Sequence, residues 1–329
     1  MTNDAHGDFA TYSKDVMIIS ISGSDIPYEN AFHTSYLSGR ARCSCSRDHS
    51  AVTRCAQPLV WCPLWLRAIT WGNEERQAIN DISAAGFRGV QFRANAVTDF
   101  KPAELKELLA QHNLSFVALS SGEVSLDQPE AEQITKHVAN AQFVKDSGGL
   151  YLQILDQLTS YTRSVTPDEC KRLGRLLTEL GKRTADIGIP LGYHNHLNTL
   201  SQRPANLELI LENTDAKYVG LELDTAHLVA GKGDPAKTIE KYHDRLLFLH
   251  LKDVRDVPAD TPKAKYPFEF VELGRGSVDF PSVLAAMEKV KFHGWAVVEL
   301  DRVPDKSRTP KESAIISKNY LEEKIGVAV

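Results

Sequence analysis

Six side chains of metal-binding type stand where four apolar runs in the second half of the chain end: 189-IPLGYHNHL, 219-VGLELDTAHL, 246-LLFLHLKDV and 294-GWAVVELDR. They are His194, His196, Asp224, His227, His250 and Glu299. Imidazole nitrogens and carboxylate oxygens converging from several strand ends would bind a divalent metal at the mouth of a parallel barrel. Alternation along a strand puts Glu222 on the same face as Asp224, and the turn that follows brings His227 round to that mouth. Asp224 could equally cap the next helix. A lone histidine among apolar residues is usually a core residue, but Lys252 and Asp253 follow His250 at once and build a polar cluster. Glu299 closes an apolar run, and a buried lone carboxylate is costly unless paired or metal-bound. His194 and His196 share a face only if their strand runs that far.

The elements that must position these groups follow from periodicity. Strands are expected at Leu66–Thr70, Gly89–Arg93, Ser115–Ser120, Leu150–Leu155, Pro190–His194, Tyr218–Leu223, Leu246–Lys252 and Trp295–Leu300. Helical spacing covers Glu74–Ala85, Pro102–His112, Glu130–Ser147, Pro167–Ile187, Pro204–Asn213, Pro235–His243 and Pro281–Val290. Several of these open with Pro behind a polar residue, as at Thr166-Pro167. Eight strands, each followed by a helix, make a (β/α)8 TIM barrel of the α/β class. A doubly wound open sheet is the runner-up, yet Trp71-Gly72-Asn73 after the first strand is no Gly-rich phosphate turn. The connection from Asp256 to Ser277 is long and reads as an irregular substrate lid or wall.

The chain divides into an N-terminal extension, residues 1–62, expected to be poorly ordered, and a barrel domain, residues 63–329. With 42% apolar residues, 25% charged and a net charge of −5, it has an ordinary globular composition. The negative charge argues against nucleic acid as a partner. No apolar run approaches a membrane span, and Val16–Ile21 is too short for a signal peptide. A cytoplasmic enzyme is expected. Cys43, Cys45, Cys55 and Cys62 crowd into the extension without CxxC spacing, so a zinc or disulfide site there is disfavoured.

From Pro190 to Leu300 the chain resembles the xylose isomerase-like TIM-barrel superfamily of sugar isomerases and epimerases, and within it the inosose dehydratase-like proteins. The resemblance rests on Tyr193-His-Asn-His-Leu-Asn-Thr, Leu223-Asp-Thr-Ala-His-Leu, Gly231-Lys-Gly-Asp-Pro235, Tyr242-His-Asp-Arg-Leu, His250-Leu-Lys-Asp-Val-Arg255, Gly274-Arg-Gly-Ser-Val-Asp-Phe280 and Gly294-Trp-Ala-Val-Val-Glu299. Residues 64–189 match more loosely, through Thr70-Trp-Gly-Asn73 and Ala84-Ala-Gly-Phe-Arg-Gly-Val90. The epimerase branch implies one divalent ion held by Glu, Asp, His and Glu. Asp224, His250 and Glu299 take the last three places, and His194 stands where the first carboxylate is expected. Such a mixed set suits Mn, Co, Fe or Zn, with Mg disfavoured by the missing carboxylate.

The chemistry implied is proton abstraction beside a carbonyl of a keto-polyol, with a sugar or cyclitol as small-molecule partner. His196 or Glu299 would be the base and His227 would hold a substrate hydroxyl. Glu222, Lys252, Arg275, Trp71 and Asn195 would be further substrate contacts. Loss of the β-hydroxyl makes the enzyme a dehydrating lyase, and reprotonation makes it an isomerase or epimerase. A DNA-repair endonuclease would need more histidines than His112 and His137 in residues 64–190. A non-catalytic sugar-binding barrel is the bland alternative, and homo-oligomerisation is left open. Gly274-Arg275-Gly276 is a weak phosphate-loop signal that a turn before the Pro281 helix explains.

Overall fold

The computed structural model describes residues 64–157, 159–160, 162–258 and 266–324. The extension 1–62 and its four cysteines lie outside the described residues. The strands are β1 (Leu64–Arg67), β2 (Gly89–Arg93), β3 (Ser115–Val124), β4 (Tyr151–Asp156), β5 (Leu191–His194), β6 (Val219–Asp224), β7 (Leu246–Leu251), β8 (Asp253–Asp256), β9 (Phe268–Val271) and β10 (Trp295–Val298). Eight of them close a parallel barrel in the order β1-β10-β7-β6-β5-β4-β3-β2, and this closure rules out the open doubly wound sheet.

The first five helices are α1 (Glu75–Ala84), α2 (Ala96–Asp99), α3 (Pro102–Gln111), α4 (Glu130–Asp146) and α5 (Pro167–Ile187). After them come α6 (Pro204–Glu212), α7 (Thr225–Ala230), α8 (Pro235–Tyr242), α9 (Phe280–Lys289) and α10 (Pro310–Asn319). The seven helices read from periodicity all form. The expected eighth strand–helix unit is completed by α10, whose start is marked by a capping box between Thr309 and Glu312. The short helices α2 and α7 escape a periodicity reading because each spans less than two turns.

Two local features bear on the site. In β3 the pairing with β4 shifts register between Ser120 and Glu123, around Gly122 at φ +95°. The strand thereby continues to Val124, past the Ser120 end expected from the sequence. The excursion after β7 is also more regular than expected. Its ends pair antiparallel as β8 and β9, from Asp253 opposite Val271 to Asp256 opposite Phe268. Both strands are only four residues long, too short for alternation to announce them. Residues 259–265, with Pro262, lie outside the described residues.

The excursion is pinned by one buried side chain. Asp253 Oδ1 accepts from the amides of Val254 (2.9 Å) and Val278 (3.1 Å). Its Oδ2 accepts from those of Gly274 and Gly276, both at 2.9 Å. A Cβ on Gly276 would run into Asp253 Oδ1 and the Val254 carbonyl. The anion that Gly274-Arg275-Gly276 embraces is therefore the protein's own carboxylate.

Candidate metal centre

Adjacent strands deliver the candidate ligands. His194 is the last residue of β5, Asp224 the last of β6, His250 lies one residue before the end of β7, and Glu299 follows β10. The strand register aligns Asp224 with His250, and Val297 with His250, which places Glu299 at the same rim. All four side chains are buried, and one ligand atom from each lies within 4.8 Å of the others. Asp224 Oδ1 caps α7 by accepting the His227 amide at 2.7 Å, while Oδ2 is buried with no hydrogen-bond partner among the described residues. The capping reading of Asp224 is thus realised by one oxygen, and the other is left without a hydrogen bond. Burial pushes this carboxyl up to about 7, and a cation beside it would favour the ionised form.

The set fits a divalent ion: two imidazoles, two carboxylates and a buried carboxylate oxygen, Asp224 Oδ2, without a hydrogen-bond partner among the described residues. His250 turns Nδ1 toward Glu299 Oε2 and lies 3.8 Å from Asp224 Oδ2 through the same nitrogen. Its Nε2 faces Glu222 Oε1 and Gln91 Oε1, the latter at 3.0 Å. Glu299 gives its other oxygen, Oε1, to Lys252 Nζ at 3.0 Å. Lys252 is fully buried, also bonds Asp301, and lies 4.1 Å from the Phe270 ring centre.

His196 and His227 stand beside this cluster with ring centres 3.7 Å apart. Strand β5 stops at His194, so alternation does not bring His196 there. A loop turn does, with His196 Nδ1 2.6 Å from the Leu197 carbonyl oxygen. His227 is held well below the usual histidine range, first by burial and then by His196, so it is a neutral ring. Its Nε2 lies 3.0 Å from Lys252 Nζ, and the Phe270 ring packs edge-on at 4.9 Å.

Three predicted contacts sit elsewhere or do something else. Asn195 clamps β5 to β6: its Oδ1 accepts the Asp224 amide (2.9 Å) and its Nδ2 donates to the Asp224 carbonyl (3.2 Å). It therefore aims Asp224. Trp71 is buried and donates from Nε1 to Asp81 at 2.7 Å. Arg275 is exposed in the turn around Asp253, 3.7 Å from Glu272.

Sequence reasoning missed Gln91, Gln153, Asp156 and Asp301. Gln91 Nε2 donates to Gln153 Oε1 at 2.6 Å inside the barrel. Polar residues at inward positions of β2 and β4 were the available signal. Asp156 accepts from Tyr193 Oη (2.7 Å) and the Leu200 amide (2.5 Å), holding the loop that carries His196. Burial pushes its carboxyl up to about 6.

The family model of the xylose isomerase-like TIM barrel matches residues 79–323, well over half of the chain. The chain belongs to this family. It is similar to the inosose dehydratase of Lacticaseibacillus casei, 28% identical over 293 residues, covering 80% of this chain and 97% of that protein. A sugar phosphate isomerase/epimerase from Parabacteroides distasonis superposes with a TM-score of 0.59 at 20% identity, covering 80% of this chain and 94% of that one. The IOLI protein, solved with a zinc atom, gives 0.62 at 19% identity, covering 75% and 91%. Those two structures bear on the fold alone. The chain is an enzyme of this family. Among the described residues no helix is long and apolar enough to cross a membrane.

Proposed function

We propose that the chain is a divalent-metal-dependent lyase that dehydrates an inosose-like keto-polyol. The observation that carries this is the convergence of His194, Asp224, His250 and Glu299 in a buried cluster at the barrel mouth, with His196, His227 and Lys252 beside it. The similarity to inosose dehydratases supports the lyase outcome and a cyclitol as substrate. A divalent ion held by the four residues would polarise the substrate carbonyl as a Lewis acid.

The protein's own groups divide the remaining work. Glu299 has Lys252 on Oε1 and His250 against Oε2, so it serves as a ligand and leaves the base role to His196. His196 takes the α-proton, the C–H pair becomes the new C=C bond, and the β-hydroxyl leaves as water with a proton donated from Lys252 Nζ. His227, neutral by burial, holds a substrate hydroxyl beside Lys252 Nζ. Phe270 excludes water from Lys252.

The test is incubation of metal-depleted protein with inosose, with and without added Mn²⁺ or Co²⁺. A metal-dependent rise in absorbance of the conjugated hydroxy-enone, the enol of a 1,2-dione, is expected. Exchange of the α-proton on a ketose without any dehydrated product would overturn the lyase reading and favour an epimerase.

A further inference from the structure

One buried carboxylate at the centre has no part in the mechanism above. Glu222 lies two residues before Asp224 on β6 and is fully buried. The register pairs it directly with His194 on the neighbouring strand. Its Oε1 faces His250 Nε2, and the same oxygen is 3.6 Å from His194 Nδ1. The two imidazole rings are themselves 4.7 Å apart, centre to centre. Glu222 thus lies against the far nitrogen of His250, whose Nδ1 faces Asp224 and Glu299. On His194 the nitrogen it approaches is Nδ1.

From this juxtaposition we infer that Glu222 is a positioning residue shared by both histidine ligands. It rests on the metal centre proposed above. A ring N–H directed at a carboxylate fixes which nitrogen carries the proton, sets the ring's orientation and makes the opposite nitrogen a stronger donor. One carboxylate doing this for two rings ties the donor strength of β5 to that of β7. Such a group trades folding stability for metal binding, because a carboxylate in a dry barrel is costly and an isosteric amide is cheaper there.

The experiment compares wild-type protein with Glu222→Gln, which keeps the shape and removes the charge. Co²⁺ is titrated into each metal-depleted protein, and Kd and the visible ligand-field spectrum are recorded together with the Tm of the metal-free form. The expected result for Glu222→Gln is about 10–100-fold weaker Co²⁺ binding with a shifted spectrum. The metal-free Tm should stay equal or rise. Unchanged Kd and spectrum, or affinity lost in step with Tm, would overturn the inference. Wild-type protein that takes up no Co²⁺ sinks the metal centre itself, a distinct failure. Should the variant not fold, proton NMR of the wild-type Co²⁺ form decides. Two hyperfine-shifted, slowly exchanging imidazole N–H signals are expected, and their absence rejects the role of Glu222.

Discussion

Around the barrel, β2, β3 and β4 carry mostly neutral polar groups, whereas β5, β6, β7 and β10 carry imidazoles and carboxylates. On the first side Gln91 bonds Gln153, and Ser121 bonds both His137 Nδ1 (2.6 Å) and Asn140 Nδ2 (2.8 Å). His137 completes its pairing on the Glu123 carbonyl at 3.2 Å. Apart from Gln153 Nε2, which is buried without a hydrogen-bond partner among the described residues, these groups satisfy one another. On the second side Asp224 Oδ2 points inward without a hydrogen bond, beside His250 and His227 at 3.8 and 4.0 Å. Buried polar groups that close on each other stabilise a fold, while groups that converge without closing call for a further ligand. The two sides meet where Gln91 Oε1 reaches His250 Nε2.

The sharpest way to break this contrast is Asp224→Asn. Metal affinity should fall by more than the about 10–100-fold expected for an outer-shell partner, and turnover should fall with it. Metal analysis and rates measured together check this, and a variant with full metal content contradicts the ligand role. Next, His196→Gln should lower kcat by about 10²–10⁴-fold at unchanged metal affinity, as loss of a general base does. If kcat holds, the base lies elsewhere.

On the neutral side the effect should move from rate to stability. His137→Leu removes the hydrogen bonds to Ser121 Oγ and to the Glu123 carbonyl and should cost about 1–3 kcal/mol, with kcat of the folded fraction nearly unchanged. Urea unfolding measures this. A similar energy is legible in pH. Burial holds His137 down to about 4, so its contribution is whole above its ordinary value near 6.5 and is lost as pH falls toward 4. Asp156, pushed up to about 6, acts oppositely, since its contribution is lost as pH rises from about 4 to 6. Each amounts to about 3 kcal/mol at most. Asp156→Asn should therefore steepen the loss of stability below pH 6.5, and a profile identical to wild type would contradict the assignment. Smallest of all, exposed Arg275→Ala should change stability by less than about 0.5 kcal/mol and leave kcat intact. A tenfold loss of kcat would show that the excursion reaches the substrate.

The same division governs what could be read beforehand. His194, Asp224, His250 and Glu299 were legible because a charged group ending an apolar strand contradicts its surroundings. The helices were legible because α5, for instance, repeats its apolar face over 21 residues behind a Thr166–Glu169 capping box. Gln91 and Gln153 were not, because an amide inside a strand is a weak signal until its partner from a distant strand is known. The double use of Asp224 and the clamp by Asn195 depend on which oxygen faces which amide, and no spacing rule carries that. Trp71 was named as a substrate contact, and its bond to Asp81 is a further pairing that no spacing could announce.

The four amides gathered on Asp253 come from Val254 in β8 and from Gly274, Gly276 and Val278 in the turn after β9. Chain therefore leaves and re-enters the barrel at a single anchoring point, whatever length runs between. That makes the excursion an exchangeable cassette. Variants that keep Phe270 could swap the rest of its interior without disturbing the strand register or the candidate ligands, and so diversify what the mouth accepts.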